Sequence, residues 1–120
     1  MLKTSLSECP EFLAGDHTWL RELLHPDKAP LCIRYSLAHG KLDPGRRSKW
    51  HRLASSEVYY FIAGRGVFTV GDRSVPVAPG SVVYVPPGSK QSLLNDGAVP
   101  LEFLCLVDPA WRREDEEVLE

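Results

Sequence analysis

Apolar residues in this chain come in short runs rather than long stretches. From residue 31 onward the runs cover 31–38, 57–63, 66–70, 74–78, 81–85, 91–94 and 101–107, with Gly, Pro, Asn and Asp between them. Runs of this length, rich in Val, Tyr and Phe and bounded by turn residues, predict β-strands. Gly71-Asp72-Arg73 predicts a hairpin turn, Pro79-Gly80 breaks the chain, and Asn95-Asp96-Gly97 is a second strong turn signal. Short strands punctuated this often predict an all-β sandwich or barrel. In residues 57–63 both alternating sets, Tyr59/Phe61 and Val58/Tyr60/Ile62, are large and apolar. Two apolar faces predict that one lines an interior and the other meets a second layer or a partner subunit.

Before residue 31 the texture differs. Trp19, Leu20, Leu23 and Leu24 fall three and four apart, behind Asp16 or Thr18 as the capping residue and ahead of Pro26. That spacing predicts one short helix with a single apolar stripe over residues 19–24. The chain thus divides into an N-terminal extension with a short helix (1–30), a β-domain (31–110) and a charged tail (111–120). The tail, RREDEEVLE after Trp111, reads as a solvated extension or a frayed helix.

Composition narrows the classes. The 120 residues suit one domain, and 43% apolar with 25% charged residues suits a buried core. A formal charge of −2 gives no basic excess for nucleic acid. No signal-peptide core opens the chain and no apolar stretch is long enough to span a membrane, so a cytoplasmic location is expected. Cys9, Cys32 and Cys105 lie far apart with no CxxC pair, which excludes a zinc ribbon or a disulfide framework. Cys32 and Cys105 lie in apolar runs and are expected to be buried.

Two segments carry the candidate chemistry. The first is Gly45-RRSKW-His51-Arg52-Leu53-ASS-Glu57-VYYFIA-Gly64, and the second is Gly80-SVVYV-Pro86-Pro87-Gly88-SK-Gln91-SLL-Asn95. Residues 51 and 53, two apart on a strand, face the same side, and Glu57 follows across a short turn. Together the segments resemble the two signature motifs of the cupin superfamily, G-x5-H-x-H-x3/4-E-x6-G and G-x5-P-x-G-x2-H-x3-N. The resemblance covers roughly residues 34 to 107 and implies a double-stranded β-helix, a jelly-roll barrel. In that family three histidines and the glutamate bind one divalent metal, with open positions for water or substrate.

This chain departs from the pattern twice. Leu53 stands at the second histidine position and Gln91 at the third. Leucine ligates nothing, and a glutamine oxygen is a weaker donor than imidazole. His51, Glu57 and Gln91 therefore form either a three-ligand site for Fe, Mn, Zn or Ni, or a metal-free hydrogen-bonded cluster.

Other residues are weighed on their positions. Arg34 and Ser36 interrupt an apolar run and are candidates for holding a ligand's polar group, against a plain edge-strand role. Tyr59 and Phe61 share the parity of Glu57 and are expected to line the pocket. Arg46, Arg47, Lys49 and Arg52 surround His51, either as a solvated loop or as an attraction for an anionic ligand. His17, His25 and His39 have no partners at ligand spacing and are expected at the surface.

The resemblance implies a small-molecule-binding protein with an altered divalent-metal site. Its activity as an enzyme is open: the family hosts metal-dependent dioxygenases, isomerases, decarboxylases and lyases. The alternatives are a metal-free ligand-binding or sensing module and a ligand-free structural dimer. Homodimerisation is expected from the two-sided apolar strands.

Overall fold

A computed structural model describes all 120 residues. Eleven strands run in chain order: β1 (Glu11–Leu13), β2 (Trp19–Leu24), β3 (Ser36–Leu42), β4 (His51–Leu53), β5 (Ser56–Ala63), β6 (Gly66–Val70), β7 (Arg73–Val77), β8 (Val82–Val85), β9 (Gln91–Leu94), β10 (Leu101–Asp108) and β11 (Glu116–Val118). They form two antiparallel sheets, one in the order β1-β2-β3-β10-β5-β8 and the other in the order β11-β4-β9-β6-β7.

The two sheets pack face to face. Strand β10 alternates strictly, with Leu101, Phe103, Cys105 and Val107 buried and their neighbours half-buried. Those inward residues meet Tyr59 and Phe61 from β5, and Phe68, Val77 and Leu93 from the opposite sheet. The aromatic rings bind the layers: Phe68 meets Tyr59 edge-on at 4.8 Å and Phe61 edge-on at 6.2 Å. Gly40 faces Phe103 so closely that a Cβ there would sit 2.1 Å from the ring. Gly64 turns the chain with φ +79, and a Cβ there would strike the Pro100 carbonyl at 2.5 Å.

The helix expected over residues 19–24 is a strand. β2 pairs with β1 on one side and with β3 on the other. Leu, Arg and Glu are good helix formers, but the whole scale for ordinary residues spans only about 0.7 kcal/mol each. The open edge of β3 offers a whole ladder, and pairing wins over propensity. The change of period re-sorts the side chains: Leu20 and Glu22 now point inward, and Arg21 points out to bind the Cys9 carbonyl at 2.8 Å. The strand expected over 31–38 starts five residues later and runs on to Leu42.

The terminal segments are built into the sheets. β1 and β2 extend the same sheet as β3, so the first thirty residues are not an appendage. The tail is neither frayed nor helical beyond one 3-10 turn at Arg113–Asp115, because β11 pairs with β4 in register, Val118 opposite His51. Charge pairing fixes it there: Glu117 binds Arg52, and Glu120 binds Arg47. No helix is long and apolar enough to cross a membrane.

The outer face of the larger sheet carries Tyr60, Ile62, Val82 and Tyr84, all exposed and clustered through the β5–β8 register. Cys32 is exposed, against expectation, because residues 31–35 lie outside any strand.

Candidate functional site

A cavity of about 180 Å³ opens between the inner faces, lined by residues of β1, β2, β3, β4, β5, β10 and β11. His51, Leu53, Glu57 and Tyr59 all line it. Gln91 stands directly opposite His51 in the β4–β9 pairing and is almost wholly buried. The spacing of the two motifs therefore brings residues 51, 53, 57 and 91 to one place.

At their centre is a closed hydrogen-bonded chain. The Tyr59 hydroxyl donates to Oε1 of Gln91 at 2.8 Å. The Gln91 amide nitrogen donates to Oε1 of Glu57 at 2.8 Å. The Cys105 thiol donates to Oε2 of Glu57 at 2.6 Å. Each polar side chain of this cluster thus has a partner, as interior polar groups require.

Burial pushes the Glu57 carboxyl above its ordinary value, against the lowering effect of its bonds to Cys105 and Gln91 and of nearby His51. Burial likewise raises the Tyr59 hydroxyl and the Cys105 thiol well above their usual ranges, with Glu57 adding to both shifts. A carboxyl raised in the folded state binds its proton more tightly there than in the unfolded chain. The associated stability is complete below the unfolded value, 4.5, and is lost as pH rises through the folded value. Glu57→Gln keeps an oxygen for the Gln91 amide and never ionises. It is expected to raise the melting temperature over the parent at about pH 8, with the gap closing toward about pH 4. Thermal melts across that range check it, and a gap that widens in acid would refute it.

His51 is held differently. Its Nδ1 lies 2.7 Å from the Lys49 carbonyl, which can only accept, so Nδ1 carries a proton. Nε2 faces Oδ2 of Asp16 at 3.5 Å. Asp16 is a residue the motifs do not contain. Its Oδ1 accepts the Thr18 backbone N–H at 3.1 Å and the Thr18 hydroxyl at 2.7 Å, and His17 between them takes a left-handed φ of 71. The Lys49 N–H binds the Asp16 carbonyl at 2.8 Å and ties that turn to the approach to β4. Asp16 caps a turn, as its position suggested, but the turn leads into a strand and aims the carboxylate at His51.

The remaining candidates scatter. Phe61 is fully buried beneath the cavity, in the aromatic core and not on the wall. Arg34 lies outside, exposed and paired with Asp108 at 2.7 Å. Of the basic residues near His51, none lines the cavity. His17 is exposed, but His25 and His39 are buried. His25 is clamped between the Asp27 N–H and the Trp111 carbonyl. Cys105 is buried as expected, but as a donor to Glu57 rather than as inert packing.

The donor set does not fit a divalent metal. Both oxygens of Glu57 are engaged by N–H and S–H donors, and the one oxygen Gln91 could offer accepts from Tyr59. Leu53 puts an aliphatic wall where a second imidazole would stand. No group of three or more His, Cys, Asp or Glu side chains is disposed to hold an ion.

A cupin domain model matches residues 38–107. An uncharacterized protein of Methanocaldococcus jannaschii is 33% identical over the whole of this chain and 96% of its own. An oxalate-binding protein of Thermotoga maritima is 34% identical over 76% of this chain and 71% of its own. The crystal structure of a predicted oxalate decarboxylase from Thermotoga maritima superposes with a TM-score of 0.79 at 25% identity, covering 90% of this chain and 99% of that one.

Proposed function

This chain belongs to the cupin domain family, and from that premise we propose that its barrel binds a small organic molecule and moves protons on it through His51, without a resident metal ion. The observation that carries the reading is the state of His51. Its Nδ1 proton is committed to the Lys49 carbonyl, which leaves Nε2, on the side of Asp16, as the ring nitrogen able to exchange a proton with a bound molecule. A positioned imidazole of this kind is the commonest general acid or base.

Of the reaction classes the fold hosts, isomerisation and elimination need only proton transfer. His51 would take a proton from the bound molecule and return it elsewhere on the molecule or to a leaving oxygen. Glu57 with its raised proton affinity would act as a second, more basic carboxyl on the same wall. A sensing module would use the same cavity without turnover. Oxalate, the ligand in the name of the Thermotoga maritima relative, suits this cavity poorly, because no Lys or Arg lines it to meet a dianion.

A thermal-shift screen of small metabolites on chelator-treated protein tests the reading. Binders are expected that lose their shift in Leu53→Trp, which fills the cavity, and weaken at least tenfold in His51→Gln. Binders that all require an added divalent ion would overturn it.

The exposed Tyr60, Ile62, Val82 and Tyr84 support a homodimer through the outer face of the larger sheet. Sedimentation equilibrium is expected to give twice 13.4 kDa for the parent and a monomer for Tyr60→Lys with Tyr84→Lys. A monomeric parent at micromolar concentration would end this assembly.

A further inference from the structure

We propose that Trp111 is a fixed aromatic platform at the mouth of the cavity, and that the ligand is an elongated molecule of at least two rings. One ring sits inside the barrel, and the next lies outside against Trp111 and Phe12. The inference rests on the cavity reading above and adds the ligand's shape.

Most of the apolar wall is buried or half-buried, but two aromatic residues that line the cavity are open to solvent. Trp111 is 36% exposed and Phe12 46%. They come from opposite ends of the chain, Phe12 on β1 and Trp111 just beyond β10. Phe12 stands opposite Leu20 in the β1–β2 register and shares its inward side. The larger sheet has six strands and the smaller stops at β11 with five, which leaves the inner face of β1 uncovered.

Trp111 is exposed and yet held in place. Its backbone N–H donates to the buried Ser36 hydroxyl at 2.9 Å, and its carbonyl accepts from Nε2 of the buried His25 at 2.7 Å. The Asp27 N–H donates to the other ring nitrogen of His25 at 3.0 Å, which fixes Nε2 as the donor. The indole N–H donates to Oε2 of Glu116 at 2.6 Å. Three separate segments therefore fasten its backbone and its ring. A ring ordered before anything binds loses little further freedom when a partner lies against it. Aromatic partners then gain offset or edge contacts at centroid distances of about 4.5–7 Å.

The size of the cavity makes this platform part of one site. Its volume, about that of six liquid waters, holds a single ring, so a second ring on the same molecule emerges at the mouth. The two exposed aromatics continue the cavity wall, and a molecule that touches both must also reach inside. The patch suited to a second copy of the chain lies elsewhere, on the outer face at the β5–β8 end of the same sheet.

Phenol and 4-phenylphenol test the shape, because they share one head group and differ by one ring. Both are uncharged at neutral pH, so the protonation of the His51–Asp16 pair does not enter. Titrations in chelator are expected to show 4-phenylphenol binding at least tenfold tighter than phenol. They are also expected to move the Trp111 indole N–H resonance, assigned with Trp111→Phe, and not those of Trp19 and Trp50. Trp111→Ala and Phe12→Ala are each expected to remove most of the gain and to leave phenol unchanged. Phe12→Ala touches none of the bonds that hold Trp111, so it carries the test should Trp111→Ala fail to fold. Phenol binding that is lost in Leu53→Trp, with no gain for 4-phenylphenol, would overturn the platform and leave the cavity reading standing. A gain that survives in the folded variants would overturn it too, as would a Trp111 resonance that moves with protein concentration alone, the mark of a second copy over the mouth.

Discussion

Replacing Leu53 and Gln91 together by histidine is expected to create a divalent-metal site, with affinity for Zn, Ni, Fe or Mn at least a hundredfold above the parent. The register places both substitutions. Residue 53 is two positions from His51 on β4 and faces the same cavity, while residue 91 is His51's cross-strand partner. Gln91→His also breaks the bond that engages Oε1 of Glu57, which frees a carboxylate oxygen beside three imidazoles. Three nitrogens and an oxygen are a strong donor set for these ions. A hundredfold gain corresponds to about 2.8 kcal/mol, a small part of what such a set supplies. The opposing term is the loss of Leu53 from an apolar wall, about 1–3 kcal/mol of stability. The metal-free variant is therefore expected to melt below the parent and to recover on adding metal, because an ion that binds only the folded state stabilises it. Titration calorimetry with thermal melts checks both effects. A folded double variant with no gain in affinity would mean that the four side chains do not converge.

The largest loss of stability is expected from Phe61→Ala. The ring is fully buried and touches Tyr59, Phe68 and Phe103, so it joins both sheets. Truncation removes the buried ring and leaves a void that three rigid aromatics on opposing sheets cannot collapse to fill. The expected cost is about 3–5 kcal/mol, out of a total of about 5–15 for a domain. The exposed Val99→Ala serves as a control within about 0.5 kcal/mol of the parent. Urea denaturation measures both, and a Phe61→Ala cost near that of Val99→Ala would show that the aromatic cluster does not hold the layers together.

The strands between β5 and β10 were legible because each is short, β-rich and closed by a glycine, proline or asparagine turn. Gly66–Val70 and Gln91–Leu94 match to the residue. β2 was not, because a six-residue apolar run of helix-forming residues fits both periods, and only the open edge of β3 decides between them. Within the site, residues 51, 53, 57 and 91 converge because motif spacing fixes strand parity. Asp16 and Cys105 lie outside both motifs. One reaches the cavity through an Asx-type turn, the other through an alternation on β10 that the sequence displays without naming its partner. Phe61 shows where parity alone misleads: it points inward like Tyr59, but two residues deeper, where the cavity has closed. The tail does carry a signal of its place, an acidic run that complements the basic segment 46–52 with which it pairs.

That pairing has a practical consequence for anyone handling the protein. Glu120 grips both the Arg47 side chain and the Trp50 backbone N–H, one residue from His51, and Trp111 and Glu116 on the same tail form part of the cavity wall. An affinity tag or reporter joined after Glu120 would pull on the segment that leads into the strand carrying the imidazole. The fully exposed Met1 is the safer point of attachment. Binding measured on a carboxyl-terminal fusion would report the tag as much as the barrel.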